Sequence, residues 1–286
     1  MSGFFIYASA ALVLALALTL FVGRAAFARR IAREVDRMFA AAEGDPRVVS
    51  EVDLVGLPQP VQRWLWASNV VGSACPVTVR LTQQGEFRMG EGRGWMPFSA
   101  EEYYTTDPPS YVWRVRFKMA PLLAVTGRDR YAEGRASIQM RMLSVIPVAN
   151  DSGSELNQGA MLRFLNETMW FPAAILSPYI TWEGRDDHSA VATMTYAGTT
   201  ASATFIFDDQ GRLRDMTAER FDNAKKAILP WSTPITDYAE FAGIRVPVQG
   251  AGVWHYDTGQ FPYIRLRVTG IEYNAPSASR REGTGS

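Results

Sequence analysis

No feature of this chain limits its folding more than the stretch "GFFIYASAALVLALALTLFVG", Gly3–Gly23, because it runs for 21 residues without a charge. As an α-helix it is about 31 Å long, the thickness of a bilayer's hydrocarbon core. A cleavable signal peptide is the competing reading. Such a peptide carries basic residues ahead of a shorter apolar run and a small-residue cleavage site after it. Here no Lys or Arg precedes the run, whereas Arg24, Arg29, Arg30, Arg33 and Arg37 come after it. The expectation is a retained single-pass anchor, residues 1–23, touching lipid through residues 3–23 of an inner membrane. The arginines on its C-terminal side place the soluble part in the cytoplasm by the positive-inside rule, with the periplasm as the alternative.

Residues 24–45 read as a juxtamembrane amphipathic helix. Phe27, Ile31, Val35, Met38 and Ala42 recur at helical spacing. Arg29, Arg33 and Arg37 stack at i, i+4 as a basic stripe on another face. Beside a bilayer that stripe meets anionic headgroups; a solvated helix face accounts for it equally well.

Beyond a Pro-punctuated helix near "LPQPVQRWLWAS", the hydrophobic period changes to two. Val77, Val79, Leu81, Phe87 and Met89 alternate with Thr78, Arg80, Thr82, Glu86 and Arg88. Tyr111, Trp113, Val115, Phe117 and Met119 alternate with Arg114, Arg116 and Lys118. Similar alternation marks Ala136–Met142, Ala201–Phe207 and Ile264–Val268. One apolar face and one polar face is the mark of antiparallel strands over a single core. The fold expected for residues 46–274 is mainly β: a curved antiparallel sheet, a half-barrel of about ten strands. Residues 275–286 read as a disordered tail.

The exception is "RFLNETMWFPAAILSPYI". Met161, Leu162, Leu165, Thr168 and Met169 share one helical face, and Arg163, Asn166 and Glu167 share the other. Pro172 and Pro178 then break the helical pattern. This helical insert is suited to cover the inner face of the sheet as a lid. The expected cavity-and-lid residues are Trp113, Phe117, Met140, Met161, Leu165, Met169, Trp170 and Phe171.

Charge and motifs narrow the chemistry. Lys plus Arg equals Asp plus Glu at 29 each, without the basic surplus a nucleic-acid binder needs. Cys75 is the lone cysteine and only two histidines occur, so no cysteine–histidine metal centre is expected, and no cofactor. Phosphate-loop, zinc-protease and nucleophile-elbow patterns are missing. "GEGRG" at Gly90–Gly94 leads into a strand and reads as a hairpin turn. Asp186, Asp187 and His188 are the best acid–base candidates, but Asp after Gly184 and ahead of alternating residues reads first as a turn. Glu167 either lines a pocket or pairs with Arg163. No catalytic residue is expected.

A set of motifs, among them "LPQPVQRWL", "GWMPFSAEEYY", "PPSYVWRVRF", "GAMLRFLNETMWFPAAIL", "WEGRDDHSAVATM" and "RVPVQGAGVWHY", resembles a bacterial family of unknown function that usually carries an N-terminal membrane segment. The resemblance runs from about Leu57 to Tyr273. It implies a fold similar to the lipoprotein-carrier half-barrels of the LolA/LolB type, and it brings no catalytic residues. Three functions therefore compete. The first is a membrane-anchored module binding an apolar or lipid ligand. The second is a structural subunit partnered with a membrane protein, its interior filled. The third is a hydrolase-type enzyme using Asp186, Asp187 and His188.

Overall fold

The computed structural model describes residues 2–42, 44, 47–121 and 123–277. Of the expected tail, 275–286, residues 278–286 lie outside them, whereas Ala275 is buried and its carbonyl accepts from the Thr78 hydroxyl at 2.9 Å, so the ordered chain runs past the expected boundary. A single helix, α1 (Ser2–Ala40), takes in both the apolar run and the amphipathic segment. Next come α2 (Gln59–Ala67) and six strands: β1 (Thr78–Phe87), β2 (Met96–Thr105), β3 (Ser110–Ala120), β4 (Leu123–Ala132), β5 (Arg135–Met142) and β6 (Ile146–Ser152). Helix α3 (Ser154–Glu167) and two short 3-10 turns lead to β7 (Ile180–Asp186), β8 (Ser189–Tyr196), β9 (Thr199–Phe207) and β10 (Leu213–Asp222). The last four strands are β11 (Ala227–Ser232), β12 (Ile235–Phe241), β13 (Ile244–Tyr256) and β14 (Gly259–Tyr273).

All fourteen belong to one antiparallel, curled sheet in the order β6-β5-β4-β3-β2-β1-β14-β13-β11-β10-β9-β8-β7, with β12 also paired to β13. The half-barrel expected from the alternation is present, with fourteen strands in place of about ten. The additional strands lack a clean period of two. β6 is an edge strand whose residues are nearly all exposed. β11 contains Pro230, and β12 comes after Pro234 and shifts register twice against β13, so local pattern is weak where backbone pairing alone makes the strand.

The link between the two edge strands, β6 and β7, crosses the inner face. It carries α3, which packs on β5, β9 and β10. Helix α2 fills the same face next to β8, where Trp64 sits 5.8 Å and 5.7 Å from the rings of Phe205 and Phe207. The main core runs across the sheet, from Val79, Leu81, Tyr104, Tyr111 and Tyr131 on β1–β4 to Ala190, Phe205 and Met216 on β8–β10, closed by α2 and α3.

On the outer face, α1 docks across β2 and β3. Phe27, Ile31, Val35 and Met38 are buried against Tyr103 and Val112. Glu34 pairs with Arg128 of β4 at 2.9 Å, and the Arg141 guanidinium lies 4.7 Å over the Phe27 ring. Where the helix passes the β5–β6 turn, a Cβ at Gly23 would stand 2.6 Å from Val145 Cγ2; only glycine permits that approach. Arg29, Arg33 and Arg37 stay exposed, and so does nearly all of the apolar run from Phe4 to Val22. By length and composition α1 is able to cross a membrane; an anchor and a signal sequence share that property.

Candidate functional site

Beside the core, the inner face of the half-barrel holds a cavity of about 1170 Å³. The alternation of β3 turns Trp113 and Phe117 inward, while Arg114 and Arg116 face out. Opposite them, β5 contributes Met140, which needs room over β4: a Cβ at Gly127 would stand 2.8 Å from the Met140 methyl. Met169 and Trp170, in the 3-10 turn after α3, close one side. Trp231, Trp254 and Phe261 form another. The opening is bordered by Met89, Met119 and Val148, all well exposed, and by Lys225 and Lys226.

Of the eight residues expected at the cavity, the structure brings Trp113, Phe117, Met140, Met169 and Trp170 to its lining. Met161, Leu165 and Phe171 are fully buried in the main core instead. The physical reason is the orientation of α3. Its apolar face meets the β8–β10 wall, and its other face, with Gly159, Arg163, Asn166 and Glu167, lines the cavity. An insert with core on one side and cavity on the other must be buried all round, so its polar residues are buried too.

Those residues form a charged floor. Arg163 contacts three carboxylates: Glu102 at 2.6 Å, Glu167 at 2.7 Å and Asp129 at 2.8 Å. Its guanidinium also lies 4.8 Å over Tyr111 and 5.0 Å over Trp113. Gln83 donates to Glu102 at 3.1 Å and accepts from Trp113 Nε1 at 3.1 Å. The Tyr104 hydroxyl donates to Glu167 at 3.1 Å. One cation among three carboxylates leaves two negative charges in excess if all ionise. Burial pushes the Glu102 carboxyl well above its ordinary range and raises Glu167, more than the nearby Arg163 lowers them. For Arg163 itself burial acts downward, and Glu102, Glu167 and Asp129 outweigh it, so the guanidinium stays charged. Both readings of Glu167 hold: it lines the cavity and it pairs with Arg163.

Asp186, Asp187 and His188 lie outside this site, in the β7–β8 turn. The Asp186 carboxylate accepts the His188 backbone N–H at 2.8 Å, which holds its pKa below the usual range. His188 Nε2 contacts Asp209 at 2.8 Å with both side chains exposed. His255, on β13, is hydrogen-bonded to Ser232 at 2.8 Å. Gly90–Gly94 lies in the β1–β2 hairpin connection, closed by Arg93 N–H to the Gly90 carbonyl at 3.1 Å. Among the described residues no group of three or more His, Cys, Asp or Glu is arranged to hold a metal.

Gln83, Glu102, Asp129 and Arg220 were missing from the sequence expectation, although three of them left a signal. Gln83 continues the inward phase of Val79 and Leu81, Glu102 that of Phe98 and Ala100, and Arg220 that of Met216 and Ala218. A polar residue in the inward phase of an otherwise one-sided strand faces the interior and must find a partner there.

No curated protein matches this chain. Among solved structures it is similar to a DUF1329 family protein from Desulfovibrio piger, at 10% identity and a TM-score of 0.43 over 77% of this chain and 92% of that one. It is also similar to a LolA superfamily protein from Nitrosomonas europaea, at 8% identity and a TM-score of 0.37 over 74% and 93%. The family model described as "Family of unknown function (DUF6544)" matches residues 47–266. Since that match runs from ahead of α2 into β14, the chain belongs to the DUF6544 family.

Proposed function

We propose that this protein is a membrane-anchored module that binds an apolar or lipid ligand inside its half-barrel. The observation that carries the reading is the open cavity of about 1170 Å³ walled by Trp113, Phe117, Met140, Met169, Trp170, Trp231 and Trp254. Ligand pockets of drug size span about 300–1,000 Å³ and are lined in the same way, by apolar and aromatic side chains around a few placed polar groups. A filled structural subunit needs no such space.

The docking of α1 supports uptake from the bilayer. The helix leaves the sheet at Gly23, beside the β5–β6 turn. That turn bonds to the β3–β4 end through Leu143 N–H and the Ala124 carbonyl, so it shares one rim with Met119 and with the β1–β2 connection that carries Met89. The apolar run continues past this rim, which therefore faces the membrane that Phe4–Val22 spans. Measured along the helix, Arg29 lies about 9 Å from Gly23 and Arg37 about 21 Å. Arg24 and Arg29 then meet the headgroups, while Arg33 and Arg37 flank the barrel.

Native mass spectrometry of the full-length protein, released from membranes in mild detergent, tests the reading. The expected result is a lipid-sized adduct that is lost on unfolding. A bare protein mass, together with no uptake of an added acyl probe, would overturn it and favour the structural subunit.

A further inference from the structure

Three arginines line the cavity, in different surroundings. Arg88 lies over the Trp95 and Phe261 rings at 4.7 Å and 4.5 Å, and its Nε already donates to the Pro262 carbonyl at 2.6 Å. Arg163 has three carboxylate partners. Arg220, on the inward phase of β10, has no carboxylate within 4.0 Å among the described residues. Its guanidinium lies 4.6 Å over the Trp231 ring and 5.8 Å from that of Trp254. Its single hydrogen bond there is from Nη1 to the Tyr263 hydroxyl at 3.3 Å, and its Nε is buried with no acceptor. Trp231 Nε1, in the same corner, is a second buried donor with no acceptor. Asp222, two residues along the strand, is already engaged: it accepts the Tyr256 hydroxyl at 2.6 Å and the Ala224 N–H at 2.7 Å. Lys225 and Lys226 stand at the border of the opening.

Arg220 Nε and Trp231 Nε1 are themselves closed off, but Arg220 lines the cavity with a cation that no carboxylate among the described residues compensates, and a cation left unmatched at an apolar wall costs free energy. The shape of the group is specific. A planar fork fixed against two indoles matches the two oxygens of a carboxylate or phosphate better than it matches a neutral or cationic head. We infer that the cavity takes an amphiphile with a single anionic headgroup, held by Arg220 with its apolar chain along Trp113, Phe117 and Met140. The inference rests on the lipid-binding reading and adds the charge of the ligand.

The test uses full-length protein and two matched fluorescent probes, 11-(dansylamino)undecanoic acid and its methyl ester, with dodecyl phosphate as a competitor. Wild type is expected to bind the acid about tenfold or more tightly than the ester, the size of one charge-assisted contact. Arg220→Gln should abolish that preference while leaving ester binding within about twofold, and Arg220→Lys should keep part of it. Displacement by dodecyl phosphate as well as by dodecanoic acid would identify the shared anionic chemistry; displacement by the carboxylate alone would restrict the site to fatty acids. Equal binding of acid and ester by wild type would overturn the role of Arg220 while leaving the lipid cavity standing. Binding of neither would overturn both. The wild-type comparison needs no variant, so it decides the question even if Arg220→Gln fails to fold.

Discussion

At the scale of the residue, the charged floor makes stability depend on pH. Glu102 is fully buried, and its carboxyl, like that of Glu167, titrates above the ordinary glutamate value of 4.5. The folded chain therefore holds protons that the unfolded chain has released. That contribution is complete below about pH 4.5 and is lost as pH rises toward the elevated folded value. Denaturant midpoints should accordingly fall as pH rises above the ordinary glutamate value of 4.5. In Glu102→Gln, which keeps the shape but cannot ionise, the decline should be shallower. Equal slopes in the two proteins would show that Glu102 releases no proton in this window. Glu102 and Arg220 are legible in the sequence as inward-phase polar residues. That Glu102 meets Arg163, 61 residues away, is not, because nothing local specifies which buried carboxylate a buried arginine will find.

At the scale of the element, α3 is the part most easily misread. The spacing of Met161, Leu162, Leu165 and Met169 identifies an amphipathic helix, and Arg163 with Glu167 identifies an i, i+4 pair. Both features are present. A two-sided helix reads as half buried and half wet, whereas α3 faces the core on one side and the cavity on the other. The core side carries the packing energy. Leu165 is fully buried among aromatic and aliphatic neighbours, so Leu165→Ala should lower unfolding free energy by about 2–5 kcal/mol, as buried leucine truncations do. A loss under about 0.5 kcal/mol in equilibrium unfolding, the size of a surface change, would place α3 outside the core. Helix α1 shows the opposite case. Of the five residues at helical spacing, Phe27, Ile31, Val35 and Met38 are buried as that spacing implies, because a helix on an outer sheet face has one dry side only; the fifth, Ala42, lies beyond the helix end at Ala40 and is half-buried.

At the scale of the whole molecule, the docked half of α1 fixes the half-barrel relative to the apolar run, and the cavity opens on the rim nearest that run. A fluorophore on Met119→Cys, in a Cys75→Ser background in nanodiscs, should be quenched strongly by lipid-borne quenchers. The same label on Thr200→Cys should not be, since Thr200 lies at the opposite end of the sheet, where a Cβ at Gly134 of the β4–β5 turn would meet the Ala197 methyl. Equal quenching at the two sites would reject the membrane-facing rim.

The class of this protein is written in its residue order: an apolar helix able to span a bilayer, an amphipathic continuation, and an antiparallel sheet with one dry face. These are periodic features, and period is a local property that backbone geometry imposes on every residue of an element. Long-range packing settles the rest. Four further strands exist because neighbours supply hydrogen bonds to segments such as β6 and β12, whose own pattern is poor. The inner face carries both a packed core and an open cavity because α2 and α3 cover only part of it. Arg163 is neutralised, and Arg220 is left without a carboxylate among the described residues, by the placement of acidic side chains from β2, β4 and α3. Each of these depends on which distant segments meet, and alternation along a strand states which way a side chain points without stating what it will touch.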